Sequence, residues 1–325
     1  MVIRFKEFAR VPTALNEASA KSGYNDEHAV AHLWNSITSH ANAKPLLKHV
    51  DNIKEEIEKA KKDKKHPLNV KNAPAEGFKG GVKNAEAYYN ELHHAAATVH
   101  GLANHPSFKE AVKRKLVAKV SGAKKIKSEQ LSHTWQSSGA KDGTSKADIE
   151  IGERGSEHFH PISLKKGDSQ LMSAQAEEFH ATYEHATSEH MKDNPKFKEH
   201  HKKVVMEKVS QITKHLKAMA GAHPEKQRLH RDKAQGLMDS IHKDHPGLLH
   251  HVAFEAATGH GKFGHNQTGT ARHLVTSLGT GAHIHDTHTG NEPIVIDAVP
   301  RVALPKGEGR PGNVKLDYRA VKANA

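Results

Sequence analysis

Apolar residues recur at three- and four-residue spacing through HAVAHLWNSITSHA (28–41) and again through PLLKHVDNIKEEIEKAKKDKKH (45–66), which predicts amphipathic helices over the first 66 residues. NVKNAPAEGFKGGVKN (69–84) breaks the pattern with Gly, Pro and Asn and reads as a loop or linker. The helical period returns in AEAYYNELHHAAATVHGLANH (85–105), and PSFKEAVKRKLVAKV adds a short helix after Pro106. The period then shortens to two. QLSHTWQSS (130–138), KADIEI (146–151) and HPISLK (160–165) are expected to be strands, separated by the glycine-containing turns SGAKDGTS and GERGSE. SQLMSAQAEEFHATYEHA follows as a helix with Ser169 at its N-cap. Residues 195–245 are helical and rich in Lys and His. GLLHHVAFEAATG is a further helix, followed by a loop rich in Gly and His, and PIVIDAVPRVAL and NVKLDYRAV are closing strands.

This order predicts an α/β (α+β) fold with a small central sheet flanked by helices. A helical N-terminal region would occupy 1–80. The rest, 81–325, would hold a core over 85–186, a helical insertion over 187–245 and a mixed C-terminal part over 246–325.

Alternation sorts the side chains of the middle strands. Ala147, Ile149 and Ile151 share one face with Ile162 and Leu164 of the next strand, whereas Asp148, Glu150, Ser163 and Lys165 share the other. Two readings of the polar face stand side by side. One is an ordinary solvent-facing sheet surface. The other is a site for metal-assisted phosphodiester hydrolysis, in which Asp148 holds a hard Mg²⁺ or Mn²⁺ and Lys165 steadies the charge that develops on the phosphoryl group.

Composition narrows the candidates. With no cysteine, disulfides, thiolate metal sites and Cys nucleophiles are excluded. A formal net charge of +12, with 30 histidines in reserve, favours a polyanionic partner, most simply nucleic acid. No stretch has the length and apolarity of a membrane span, and the opening residues carry no secretory apolar segment, so the expectation is a cytosolic protein without a membrane partner. Neither a P-loop, a GxSxG elbow nor an HExxH motif occurs. His158 with His160, and His283 with His285 and His288, have the spacing of transition-metal ligands, although most histidines sit beside lysines on basic helices and read as solvated. Glu255 and Lys262 in FEAATGHGKFG can be read as part of the metal site, as a phosphate holder, or as residues around a glycine helix stop.

The helix–three strands–helix order, with Asp148 on the second strand and Ser163 followed by Lys165 on the third, resembles the core of the PD-(D/E)xK nuclease superfamily. The resemblance spans about 100 residues, Ala85 to Ala186. It implies a Mg²⁺-dependent deoxyribonuclease in which Asp148 ligates metal, Lys165 supports the attacking water, and Glu150 and a preceding-helix acid, Glu91 with Glu129 as substitute, complete the metal site. Gln170, Gln175 and Tyr183 match the superfamily's glutamine- and aromatic-bearing helix. Lys166, Gln170, Gln175, His160 and Lys262 are the expected DNA contacts, with His160 also placed to act as a base. Ser163 departs from the pattern, because the superfamily carries an acid there. Either Glu150 or Glu177 fills the gap, or the fold binds DNA without cutting it. The opening MVIRFKEFARVPTALNEAS and the segment HVAFEAATGHGKFG are similar to proteins of T4-like tailed bacteriophages, and Leu15-Asn16-Glu17 before Ala18 matches the pattern cut by their prohead proteases. That resemblance implies a bacterial host cytoplasm, packaging in the virion, and capsid or packaging proteins as partners.

Overall fold

The computed structural model describes residues 18–74, 85–121, 125–140, 142–153, 159–166, 170–264, 269–277, 281–287 and 298–318; the side chains of 18–25, 142, 159, 166 and 277 are not considered. Helices α1 (Ala18–Ser39), α2 (Ala43–Leu46), α3 (Val50–Lys62), α4 (Ala85–Asn104) and α5 (Lys109–Lys113) come first. Strand β1 (Val117–Val120), strand β2 (Lys125–Lys127), helix α6 (His133–Ser137) and strand β3 (Asp142–Thr144) follow. Next are strands β4 (Ile149–Gly152), β5 (Phe159–Lys166) and β6 (Gln170–Ala174), then helices α7 (Ala176–Asp193), α8 (Glu199–Ala218), α9 (Pro224–Asp244), α10 (Leu248–Thr258) and α11 (His260–Phe263). Strands β7 (His273–Ser277), β8 (Ala282–Asp286), β9 (Ala298–Ala303) and β10 (Asn313–Tyr318) close the chain.

The fold is mixed α/β, as the sequence predicts. A five-stranded sheet has the order β1-β4-β5-β7-β8, in which only β5 and β7 are parallel, and helices flank it. A smaller antiparallel sheet has the order β6-β10-β9, and β2 and β3 form a short ribbon. Strand alternation splits the core. On β7, Val275 enters a cluster with Trp34, Ile57, Tyr88, Phe108, Ile149 and Ile162, while its neighbour Leu274 enters a second with Phe179, Val209, Ile212, Met238 and Val302. The N-terminal helices therefore share one core with the sheet. Helix α1 also closes the sheet's edge. Asn35 Nδ2 donates to the Ala118 carbonyl at 2.9 Å and Asn35 Oδ1 accepts from the Ala118 N–H at 2.7 Å, so the outer edge of β1 is satisfied by a side chain.

Four expected stretches differ, each for a physical reason. QLSHTWQSS forms α6 in place of a strand. Leu131 and Trp135 fit period two, but they are also one helical turn apart, and both pack with Ile126, Ala181 and Phe263. The helix expected from Ser169 begins at Ala176, because Gln170–Ala174 pairs with β10 in a ladder that no local pattern announces. LVAKV ends as β1, and the Gly/His-rich stretch after α11 supplies β7 and β8, both set by partners distant in sequence.

Replacing Asn35 by Ala leaves two backbone groups of β1 without their partner. Denaturant titration should show a loss of about 1–3 kcal/mol, and an unchanged midpoint would remove this edge closure from the stabilising interactions.

Candidate active site

The β4–β5 hairpin turns its apolar residues toward the N-terminal helices and its polar residues toward β6 and α7. That second face is covered. Ser163 is 0% exposed, and the side chains of Lys165 and Asp148 are only 14% and 23% exposed, which excludes the solvent-facing reading of this surface. Three donors converge on Oδ2 of Asp148: the Leu164 N–H at 2.6 Å, the Ser163 hydroxyl at 3.3 Å and Lys165 Nζ at 3.3 Å. The carboxylate, not a backbone carbonyl, thus receives the Leu164 N–H. Ser163 acts as a donor that fixes Asp148.

Above this pair lies a polar cavity of about 280 Å³, lined by Thr144, Ser145, Lys146, Asp148 and Lys165 from the β3–β5 region, Gln170 to Ser173 from β6, Glu178 from α7 and Lys262 from α11. Lys262 Nζ donates to Glu178 at 2.5 Å. Its approach is set by Glu255. Helix α10 ends at Gly259, whose φ of 71° gives the left-handed turn that glycine tolerates best. The buried Glu255 carboxylate then accepts the Gly261 N–H at 2.7 Å and the Lys262 N–H at 3.0 Å, satisfying the first amides of α11. The glycine is a helix stop, and Glu255 is the residue that shapes the turn behind it.

The ionisable groups depart from their ordinary behaviour in a consistent way. Burial pushes the Glu27 carboxyl up to about 8, the Asp148 charge pushes it in the same direction, and Lys165 opposes both. Burial lowers Lys146 to about 8. Burial alone would raise Glu178, but Lys262 and Lys146 hold it below the usual carboxylate range. Glu255 is raised to about 7 by burial, against the two amides it accepts.

Of the residues expected from sequence, Asp148, Ser163, Lys165, Gln170 and Lys262 come together at this cavity. Glu91 on α4 is not among its lining residues. Glu150 faces Lys119 and Pro161 across the ladder, outside the lining. Glu129 is exposed beside Ser128, and Glu177 pairs with Lys217 at 2.8 Å. Gln175 is exposed at the start of α7. Tyr183 is a core residue whose hydroxyl meets His242 Nε2 at 2.7 Å. His160 lies on the opposite face of β5, packed on Phe108 and His273. The side chain of Lys166, His158, His288 and the Leu15–Glu17 segment lie outside the described residues.

Sequence reasoning missed Glu27, Lys146 and Glu178. Glu27 has a readable signal: it stands seven residues before Trp34, on the stripe of α1 that carries Val30 and Trp34 into the core. An acid on an apolar stripe is a candidate before any fold is known. Among the described residues no three His, Asp or Glu side chains form a metal-holding group. Glu27 lies within electrostatic range of Asp148, so these two acids are the candidate oxygen donors for a hard ion such as Mg²⁺.

The raised Glu27 carboxyl contributes stability that is fully present below its unfolded value, about pH 4.5, and is lost as pH rises through about 8. Glu27→Gln should therefore gain stability relative to the unmodified protein between about pH 5 and pH 9 in urea titrations. Parallel pH profiles would show that Glu27 titrates normally. No family model, curated protein or solved structure matches the chain.

Proposed function

We propose that the chain is a divalent-cation-dependent nuclease that hydrolyses phosphodiester bonds in DNA. One observation carries the reading: Asp148 and Lys165 from a sheet hairpin are paired in the lining of a polar cavity, and Glu27 from an N-terminal helix lies within electrostatic range of both. A carboxylate paired with a lysine, and a second acid raised by burial and by the first one's charge, match the demands of phosphodiester cleavage better than those of structure. An acid enclosed near a carboxylate is costly to ionise unless something is held between them.

Glu27 and Asp148 would hold the cation, Mg²⁺ or Mn²⁺. When bound, it polarises the phosphoryl oxygen and lowers the pKa of a coordinated water. The protein's own groups do the rest. Asp148 is held in one orientation by its three donors, so it does not have to be ordered when substrate arrives. Lys165 presents its ammonium to the charge that grows on the phosphoryl oxygens. Glu27 holds a proton at neutral pH and has to release it to become a ligand, so cation uptake at about pH 7 should liberate close to one proton. The excess of Lys and Arg, 49 against 37 Asp and Glu, supports backbone binding by basic helices, with affinity falling steeply as salt rises.

A second reading has its own observation. Asp148 is already neutralised by Lys165, and Ser163 stands where a further acid is expected. That favours a non-catalytic DNA-binding or DNA-packaging protein of a tailed phage, acting in the bacterial cytoplasm or carried in the virion. No helix among the described residues is long and apolar enough to cross a membrane.

Incubation of plasmid and linear DNA with Mg²⁺ or Mn²⁺ separates the two. For the nuclease, the unmodified protein cleaves, while Asp148→Ala, Lys165→Ala and Glu27→Ala each lose at least about 100-fold in rate, the size expected for loss of one electrostatic group. Equal DNA binding by all four proteins with no cleavage by any establishes the packaging reading.

A further inference from the structure

Three lysines and two ionised acids line or adjoin one cavity, and their pairing leaves a remainder. Lys165 is matched by Asp148, and Lys262 by Glu178. Among the described residues no carboxylate stands within ion-pair distance of Lys146, whose nearest opposite charges, Glu178 and Glu255, act on it only at longer range. An unmatched ammonium inside a protein is costly, and it persists where a ligand supplies the missing charge.

The backbone makes room for these cations. A Cβ on Gly259 would stand 2.9 Å from Lys146 Cγ, and one on Gly143 would stand 3.1 Å from Lys262 Cε. Both lysine stems thus cross the backbone where a side chain has been omitted. Their ammonium ends line the same space as Gln170 and Ser173, which add uncharged polar groups suited to phosphate oxygens. A cavity of about 280 Å³ has the dimensions of one phosphorylated sugar.

We propose that Lys146 and Lys262 form a recognition subsite for a phosphate monoester beside the reacting centre, presented either by the phosphorylated end of a nucleic-acid strand or by a free mononucleotide. The subsite rests on the proposed nuclease reading only for the strand as source. Lys146 supplies the uncompensated charge. Lys262, held by Glu178 and by the Glu255-capped turn, supplies a fixed donor.

The test begins with inorganic phosphate, titrated into the full chain without metal or DNA and in chloride-matched buffer. The unmodified protein should bind saturably and melt at higher temperature. Lys146→Met keeps the stem over Gly259 while removing the charge, and it should bind at least about tenfold more weakly, the equivalent of one lost charge-assisted contact. Lys262→Met removes the second ammonium from the same cavity and should weaken phosphate binding as well. Phosphate binding that is absent, or unaffected by both Lys146→Met and Lys262→Met, overturns the subsite. Oligonucleotides ending in 5′-phosphate, 3′-phosphate or hydroxyl, compared with adenosine monophosphate by competition, then identify the source: preference for a phosphorylated end assigns it to strands, and preference for the mononucleotide to a free ligand. Lys146-dependent phosphate binding with no DNA cleavage keeps the subsite and removes the nuclease reading.

Discussion

A charge taken out of water has to be answered by another charge or by oriented dipoles, and the second face of the β4–β5 hairpin is built around that requirement. Asp148 sits at the centre, with a backbone amide, a hydroxyl and an ammonium on one oxygen. The elements above it extend the same constraint. Helix α7 brings Glu178, the turn after α10 brings Lys262, and Glu255 is spent inside on holding that turn. Apolar packing stabilises the two sides of the sheet, but the identity of the side chains around the cavity follows from electrostatic matching. A net neutral pair can be enclosed at modest cost, whereas a single unmatched group perturbs everything near it.

The N-terminal helices belong to this arrangement as much as the hairpin does. Trp34 Nε1 donates to the Leu116 carbonyl at 2.8 Å, and Asn35 follows by closing the edge of β1. Those contacts fix the rotation and height of α1 along the sheet. With the helix so fixed, Glu27, two turns earlier on the same stripe, is carried into the electrostatic range of Asp148 and Lys165. One helix therefore seals an edge that would otherwise invite pairing with another chain and brings an acid within electrostatic range of Asp148. Stability of the sheet and geometry of the site are coupled through a few residues of α1.

Much of this was legible in the chain and some was not, and the division follows sequence distance. Period-two alternation in KADIEI and HPISLK places Asp148, Ser163 and Lys165 on a common face, because the hairpin that joins them is local. The same alternation says nothing about what lies opposite that face. Whether Ser163 is wet or fully buried depends on β6, which is strand only because it pairs with β10, and on α7, whose start is displaced by that pairing. Period two also misleads where it coincides with a helical turn, as at Leu131 and Trp135. Glu91 and Glu27 illustrate the limit for helices: both are acids on amphipathic helices, and only the docking of α1 on β1 distinguishes them.

Ser163 is where these constraints meet. Its side chain is fully enclosed, directly against Asp148, in a site where Glu27 is already pushed up by the same charge. A carboxylate at 163 would add a second buried negative charge at hydrogen-bond distance from the first, and at neutral pH one of the two would have to hold a proton. The hydroxyl avoids this by donating to Asp148. On the proposed reading Glu27 takes on the second acidic role from α1, where burial and the Asp148 charge raise its carboxyl. On the proposed reading, the serine then marks a relocation of the second acid, and the catalytic weight that the hairpin motif alone would assign to position 163 falls on position 27.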